Sequence, residues 1–154
     1  MHDELLGGAM IKVSYLETRP SSRYAEHDPK QTGNKNTIFA DIIIDGNSLY
    51  QKLKKYDLVP ALGWGSEEHQ RLMIEYFLLK SPFELMYHRY PILVCPWCGD
   101  LECGYISVSI GKESDIVEWS NFQVTGSNNK LEIGPYYFKW DNYKYAIESA
   151  LGVE

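Results

Sequence analysis

Apolar and polar positions alternate with the period of a β-strand at several places along this chain. Ile11, Val13 and Tyr15 alternate with Lys12 and Ser14, with Glu17 nearby, which predicts a half-buried strand ending before Arg19-Pro20. From Thr37 to Asp45, Ile38, Ala40, Ile42 and Ile44 fall on one side and Phe39 and Ile43 on the other, so this strand is expected to be covered on both faces. Pro91 to Cys95 is a short continuous apolar run that suits a buried strand. Ile106, Val108 and Ile110 alternate with Tyr105, Ser107 and Ser109; Gly111 to Ser114 predicts a turn, and Ile116 to Phe122 an antiparallel return. Gly126-Ser127-Asn128-Asn129 breaks the pattern before a short strand expected near Tyr136 to Phe138.

Helical spacing takes over in three places. Ser48 and Gln51 have the spacing of a capping box, and Leu49, Tyr50, Leu53 and Tyr56 share a helical face, giving a short helix to about Tyr56. Ser66 is a suitable N-cap, Glu67 and Glu68 complement the helix dipole, and Leu72, Met73, Tyr76, Phe77 and Leu79 form a core stripe. Near the end of the chain Asp141 is expected to cap a helix whose stripe is Tyr143, Ala146, Ile147, Ala150 and Leu151, stopped by Gly152. Trp140 and Tyr145 take the positions of a hydrophobic staple at its start.

Locally paired strands interrupted by helices predict an α+β fold with a mainly antiparallel sheet and about three helices, the C-terminal helix packed on the sheet. Residues 10–152 form the single expected domain. Residues 1–9, with Gly7-Gly8, are expected as a mobile leader, and Met10 as an alternative start. The polar stretch from Thr18 to Asn36, punctuated by Pro20, Pro29 and Gly33, is expected as a long connection that is functional or disordered. Between Pro82 and Arg89 no period dominates.

Composition narrows the function classes. A chain of 154 residues suits one domain with a sizeable core, and 44% hydrophobic residues with 12 tyrosines oppose disorder. The net charge of −6 provides no general attraction for nucleic acid or anionic lipid, so neither is expected as a partner. The first ten residues lack the basic and apolar regions of a secretory signal, and no run approaches the roughly 18–20 apolar residues that span a bilayer. A cytoplasmic protein is expected, its three cysteines reduced unless they bind metal or cycle.

All three cysteines lie in Cys95-Pro96-Trp97-Cys98-Gly99-Asp100-Leu101-Glu102-Cys103-Gly104. Cys-Pro-x-Cys-Gly spacing turns two thiolates toward one tetrahedral metal, which makes Cys95, Cys98 and Cys103 candidate zinc ligands. A closed zinc site needs a fourth ligand, and His69, His88 or Asp100 would have to supply it without a spacing that demands the role. Three ligands plus water would instead suit catalytic zinc, but no general-base motif such as His-Glu-x-x-His is present. Cys95 and Cys98 can also act as a redox dithiol with Cys103 resolving, although the following residues alternate as a strand and supply no helix N-terminus to lower a thiol pKa. In the structural reading, Cys95 and Cys103 are small buried groups flanking a hairpin connection and Cys98 is a turn residue.

The cysteine run, with Ile116-Val117-Glu118-Trp119-Ser120-Asn121-Phe122, Gly134-Pro135-Tyr136, Leu62-Gly63-Trp64-Gly65-Ser66 and Asp45-Gly46-x-Ser48-Leu49, resembles a family of small bacterial proteins of uncharacterised activity. Some members carry an automatically assigned oxidoreductase label. The resemblance implies a bacterial single-domain protein and supplies no catalytic residues.

Elsewhere the candidate chemistry has simpler readings. Gly63-Trp64-Gly65 before a helix has the form of a phosphate-binding turn, but Glu67 and Glu68 would repel the anion, which favours packing or capping. His27, His69 and His88 are unpaired in sequence and read as surface or hydrogen-bonded histidines, and Asp100 and Glu102 as turn residues. No Gly-x-Ser-x-Gly elbow is present. The aromatic group Tyr136, Tyr137, Phe138, Trp140, Tyr143 and Tyr145 exceeds what one strand and one helical face need to bury. Tyr136, Tyr137, Trp140 and Tyr143 are accordingly candidate interface residues. The leading expectation is a binding protein with an aromatic and acidic surface, working through self-association or an immunity-type partner, with a basic partner favoured by charge. The alternatives are a thiol redox enzyme and a zinc-dependent binding module.

Overall fold

The computed structural model describes residues 2–6, 9–24, 36–81, 89–95, 104–125 and 130–151. Along these residues run β1 (His2–Leu6), β2 (Ala9–Ser14), β3 (Leu16–Tyr24), β4 (Asn36–Ile44), β5 (Asn47–Ser48), α1 (Leu49–Lys52), β6 (Val59–Pro60), α2 (Glu67–Phe77), β7 (Arg89–Val94), β8 (Tyr105–Glu113), β9 (Ile116–Val124), β10 (Tyr136–Lys139) and α3 (Trp140–Glu148). Seven strands form a mixed sheet in the order β1-β2-β10-β9-β8-β7-β6, and β3-β4-β5 form a smaller antiparallel sheet. Only the β2–β10 pair is parallel among the described residues. The chain is a single α+β domain, with α3 packed on β3, β9 and β10.

The two sheets join at both sides, through the chain itself at one and through hydrogen bonds at the other. At one side β2 runs into β3 through Tyr15. At the other, Ala61 N–H donates to Ile92 on β7 and Ala40 N–H on β4 donates to Leu62, each at 2.9 Å. Gly63 allows this second junction. Its φ is +70°, and a Cβ there would stand 2.6 Å from the Ala40 nitrogen, so the close approach of the two backbones needs glycine twice over.

The strand periods carry through with local shifts. β4 is buried on both faces: Phe39 meets the ring of Tyr50 on α1 at 4.9 Å while Ala40 and Ile42 are fully enclosed. Ser48 caps α1 by accepting from Gln51 N–H at 3.1 Å, and after Leu53 the helix tightens into a single 3-10 turn, Lys54–Tyr56. Ser66 caps α2 in the same way. The inward face of α2 is Gln70, Met73 and Phe77, whereas Leu72 faces solvent. Gln70 can take a core position because its amide donates to Gly65 O at 3.0 Å.

Five sequence expectations are corrected. His2–Leu6, expected in a leader outside the fold, is an edge strand paired antiparallel with Ala9–Ser14; Gly7-Gly8 between two strand-compatible runs is the sequence signal of a tight hairpin. The polar connection expected from Thr18 is strand as far as Tyr24, in register with Asn36–Ile44. Pro20 fits because β3 is an edge strand, where a missing N–H is tolerated. Gly111 lies inside β8, and the turn is Ser114-Asp115, with Ser114 at φ +57°. Finally, α3 begins at Trp140 with Asp141 already in its first turn, since Trp140 N–H donates to Asp115 O of the β8–β9 turn at 2.7 Å and Lys139 pairs with the Asp115 carboxylate at 2.8 Å. A contact from a distant turn thus replaces the local cap. With the start moved, the expected staple is lost: Trp140 packs on Tyr143 at 6.0 Å and Tyr145 points outward.

Bulges bend the sheet where its strands meet the apolar centre. Ile92 is the extra residue of β7 opposite β8, next to Pro91, which has no N–H to give a ladder. Asn121, at φ +54°, is the extra residue of β9. Arg89 locks that second bulge, donating to Ser107 Oγ at 2.7 Å, Ser107 O at 3.0 Å and Asn121 O at 2.6 Å. These bonds satisfy carbonyls that the irregular ladder leaves over.

At the centre, Trp119, Phe138, Phe77 and Tyr143 pack edge to face or stacked. Trp119 Nε1–H donates to the Tyr143 hydroxyl at 3.3 Å, and that hydroxyl donates to Phe77 O, a carbonyl at the end of α2, at 2.6 Å. One phenol therefore ties α2, β9 and α3. Tyr143→Phe leaves the indole N–H and a helix-end carbonyl unsatisfied in the core, and is expected to cost about 1–3 kcal/mol. Urea denaturation at equilibrium measures this; a variant as stable as the parent would show that the relay contributes nothing.

Candidate functional site

The cysteine segment can be followed at its two ends. Val94 pairs with Tyr105, so Cys95 and Gly104 sit side by side at the ends of neighbouring antiparallel strands. Cys95 is buried with a free thiol. Cys98, Cys103, Asp100 and Glu102 lie outside the described residues, as do His27 and His88. His69 is half-buried on α2, edge-on to Trp64 at 5.5 Å, and burial lowers its pKa. Among the described residues no three His, Cys, Asp or Glu side chains gather as metal ligands.

The four tyrosine and tryptophan interface candidates separate. Tyr143 is a core residue, fully enclosed, and burial raises its pKa. It is withdrawn from the surface set, because the helical stripe that predicts α3 points it inward. Trp140 is half-buried under Lys112, whose Nζ lies 5.0 Å from the ring centre. Tyr137 is half-buried beside its cross-strand neighbour Glu118, with its hydroxyl donating to Oε2 at 3.4 Å; partial burial and that carboxylate both raise its pKa. Tyr136 lines a small surface concavity of about 90 Å³ together with Asp45, Asn47, Ser48 and Lys52.

A larger groove, about 230 Å³, lies between the start of β3 and the outer side of α3. Two tyrosines on its wall are the most exposed aromatics among the residues whose side chains are described, Tyr145 at 73% and Tyr15 at 56%. Neither was expected there. Strict alternation puts Tyr15 on the buried side, but the chain bends between β2 and β3, so Val13 and Leu16 both point inward and Tyr15 is left outside. The exposure of Tyr145 was legible, since the stripe 143-146-147-150 leaves it on the opposite side of the helix.

Backbone and side-chain bonds hold this groove rigidly. Asn142 from α3 accepts from Leu16 N–H at 2.8 Å and donates to Leu16 O at 2.9 Å, the two bonds that a neighbouring strand would make. Thr18 Oγ1 donates to Ala146 O at 2.7 Å. Asp45 opens an Asp-Gly hairpin turn, with φ +51° followed by Gly46 at +84°; Tyr15 N–H donates to its carboxylate at 2.8 Å and Asp45 N–H donates to Tyr15 O at 2.9 Å. Since Tyr15 lines the larger groove and Asp45 the smaller concavity, this reciprocal pair makes the two hollows neighbours. Arg19 pairs with Glu17 at 2.7 Å on the groove wall.

The chain matches no family model, and no curated protein and no solved structure is found to be similar to it. No helix among the described residues is long and apolar enough to cross a membrane.

Behind the groove, Asp41 faces Arg19 across the β3–β4 ladder and accepts from Ser48 Oγ with both oxygens at 2.8 Å. Burial is the largest influence on this carboxyl and raises its pKa, partly offset by Ser48, backbone N–H groups and Arg19. A raised folded-state pKa means that the folded chain holds the proton more tightly than the unfolded chain. That contribution is complete below the ordinary carboxylate pKa and is lost as pH rises through the folded value. Asp41→Asn, which retains an acceptor for Ser48, is expected to melt above the parent near neutral pH and to lose that advantage at about pH 3. Melting curves at the two pH values decide it; an equal difference at both contradicts the assignment. Asn142→Leu strands the Leu16 N–H and C=O and is expected to cost about 1–3 kcal/mol, with faster amide exchange at Leu16. Unaltered exchange there would mean that another group replaces the asparagine.

Proposed function

We propose that this protein works by binding, and that its binding face carries Tyr15 and Tyr145 on the groove between β3 and α3. The observation that carries the reading is the exposure of two tyrosines on one groove whose backbone is fixed by Asn142 and Asp45. Rigid tyrosines bury much area on contact while losing little rotamer freedom, and a preorganised groove reduces the ordering cost of association. The groove is smaller than the roughly 300–1,000 Å³ usual for small-molecule sites, which favours a side chain of a larger partner. Tyr136 extends the face through the adjoining concavity. In this reading Cys95 is a structural thiol at the end of β7, in keeping with its burial.

Selection from a random peptide display library on the full chain, counter-screened with the Tyr15→Ser/Tyr145→Ser double variant, tests the face. Both residues are exposed, so the double variant is expected to melt close to the parent. Peptides retained by the parent and lost by the variant are the expected result. A selection that yields no such peptides, while both proteins are folded, overturns the assignment.

A further inference from the structure

The charges around the groove identify the kind of partner. Glu17 is the carboxylate on the groove wall; Asp45 accepts from Tyr15 N–H, and Asp141 and Glu148 stand four residues before and three after Tyr145 on α3, on its side of the helix. Arg19 pairs with Glu17, and Lys144 pairs with Glu148 at 3.4 Å. Asp45 and Asp141 have no cation as partner among the described residues. Asp45 holds Tyr15 and Asn142 holds the next residue, Leu16, so Asp45 is part of this cross-link and Asp141 adjoins it in sequence. Exposed tyrosine rings attract a cation through their faces, and uncompensated carboxylates strengthen that preference. The net charge of −6 steers in the same direction.

We propose that the groove receives a peptide segment bearing a lysine or arginine, with the cationic side chain against Tyr15 and Tyr145 and its charge facing Asp45 and Asp141. This rests on the reading of the face as a binding surface. The backbone edge of β3 is a poor template for a further strand, because Asn142 already occupies Leu16 and Pro20 has no N–H to offer. Side-chain capture is therefore the mode.

Peptides selected on the parent protein are expected to be enriched in lysine or arginine over the starting library. One selected peptide, labelled for fluorescence anisotropy, is then compared with a copy in which every lysine and arginine is replaced by norleucine. Against the parent, the norleucine copy is expected to bind at least about tenfold more weakly. Against Asp45→Asn/Asp141→Asn, the original peptide is expected to lose about fivefold to tenfold, and less at high salt. Asparagine at position 45 tolerates the positive φ and keeps an acceptor for Tyr15, so the fold is retained. Selected peptides that depend on Tyr15 and Tyr145 but show no basic enrichment, or bind the Asn variant equally well, overturn the charge class and leave the face standing. Peptides indifferent to the tyrosines overturn both.

Discussion

A single buried phenol governs how the parts of this protein meet. The Tyr143 hydroxyl accepts from the Trp119 indole and donates to the last carbonyl of α2, so a β-strand and two helices converge on one oxygen with both its bonds made. An unpaired polar group in that position would be expensive, and the geometry leaves little freedom in how α3 rotates about its axis. Fixing that rotation turns Tyr143, Ala146 and Ile147 inward and Tyr145 outward. The groove is the outer consequence of an inner hydrogen bond.

Asn142 transmits the constraint from helix to sheet. Its amide takes both backbone groups of Leu16, and Leu16 follows directly on the bend that expels Tyr15. Asp45 secures the other side of Tyr15 from the β4–β5 turn. The exposed aromatic rings are thus mounted on bonded backbone at both ends, so the face proposed for binding would spend little affinity on ordering its own residues.

Much of the fold was legible because burial and local period agree. Phe39 to Ile44, the positions Ile106, Val108 and Ile110, and the stripe of α3 each follow one rule, and the serine caps at 48 and 66 are read from neighbouring residues alone. What escaped depended on partners far along the chain. The start of α3 is set by Asp115, and Leu72 yields its place to Gln70 because Gly65 offers a carbonyl. Of the proposed face, Tyr136 was already a candidate through its aromatic neighbourhood. Tyr15 was missed because a bend inverts the phase of alternation, and no residue type between Val13 and Leu16 announces a bend. Tyr145 was given a staple whose register a displaced helix start removed.

The long-range pairing of these elements also bears on how the chain reaches its folded state. The bond between Leu16 and Asn142 spans 126 residues, and the parallel pairing of β2 with β10 spans a similar distance. Closure of such long loops comes before any reward from the contacts they enable, and slows the search accordingly. During synthesis β2 and β3 emerge well before β10 and α3, so one side of each awaits a segment translated more than a hundred residues later. Until then a nascent chain presents unpaired strand edges, and the pairs β1–β2, β3–β4 and β8–β9, each closed by neighbours in sequence, are able to form ahead of it.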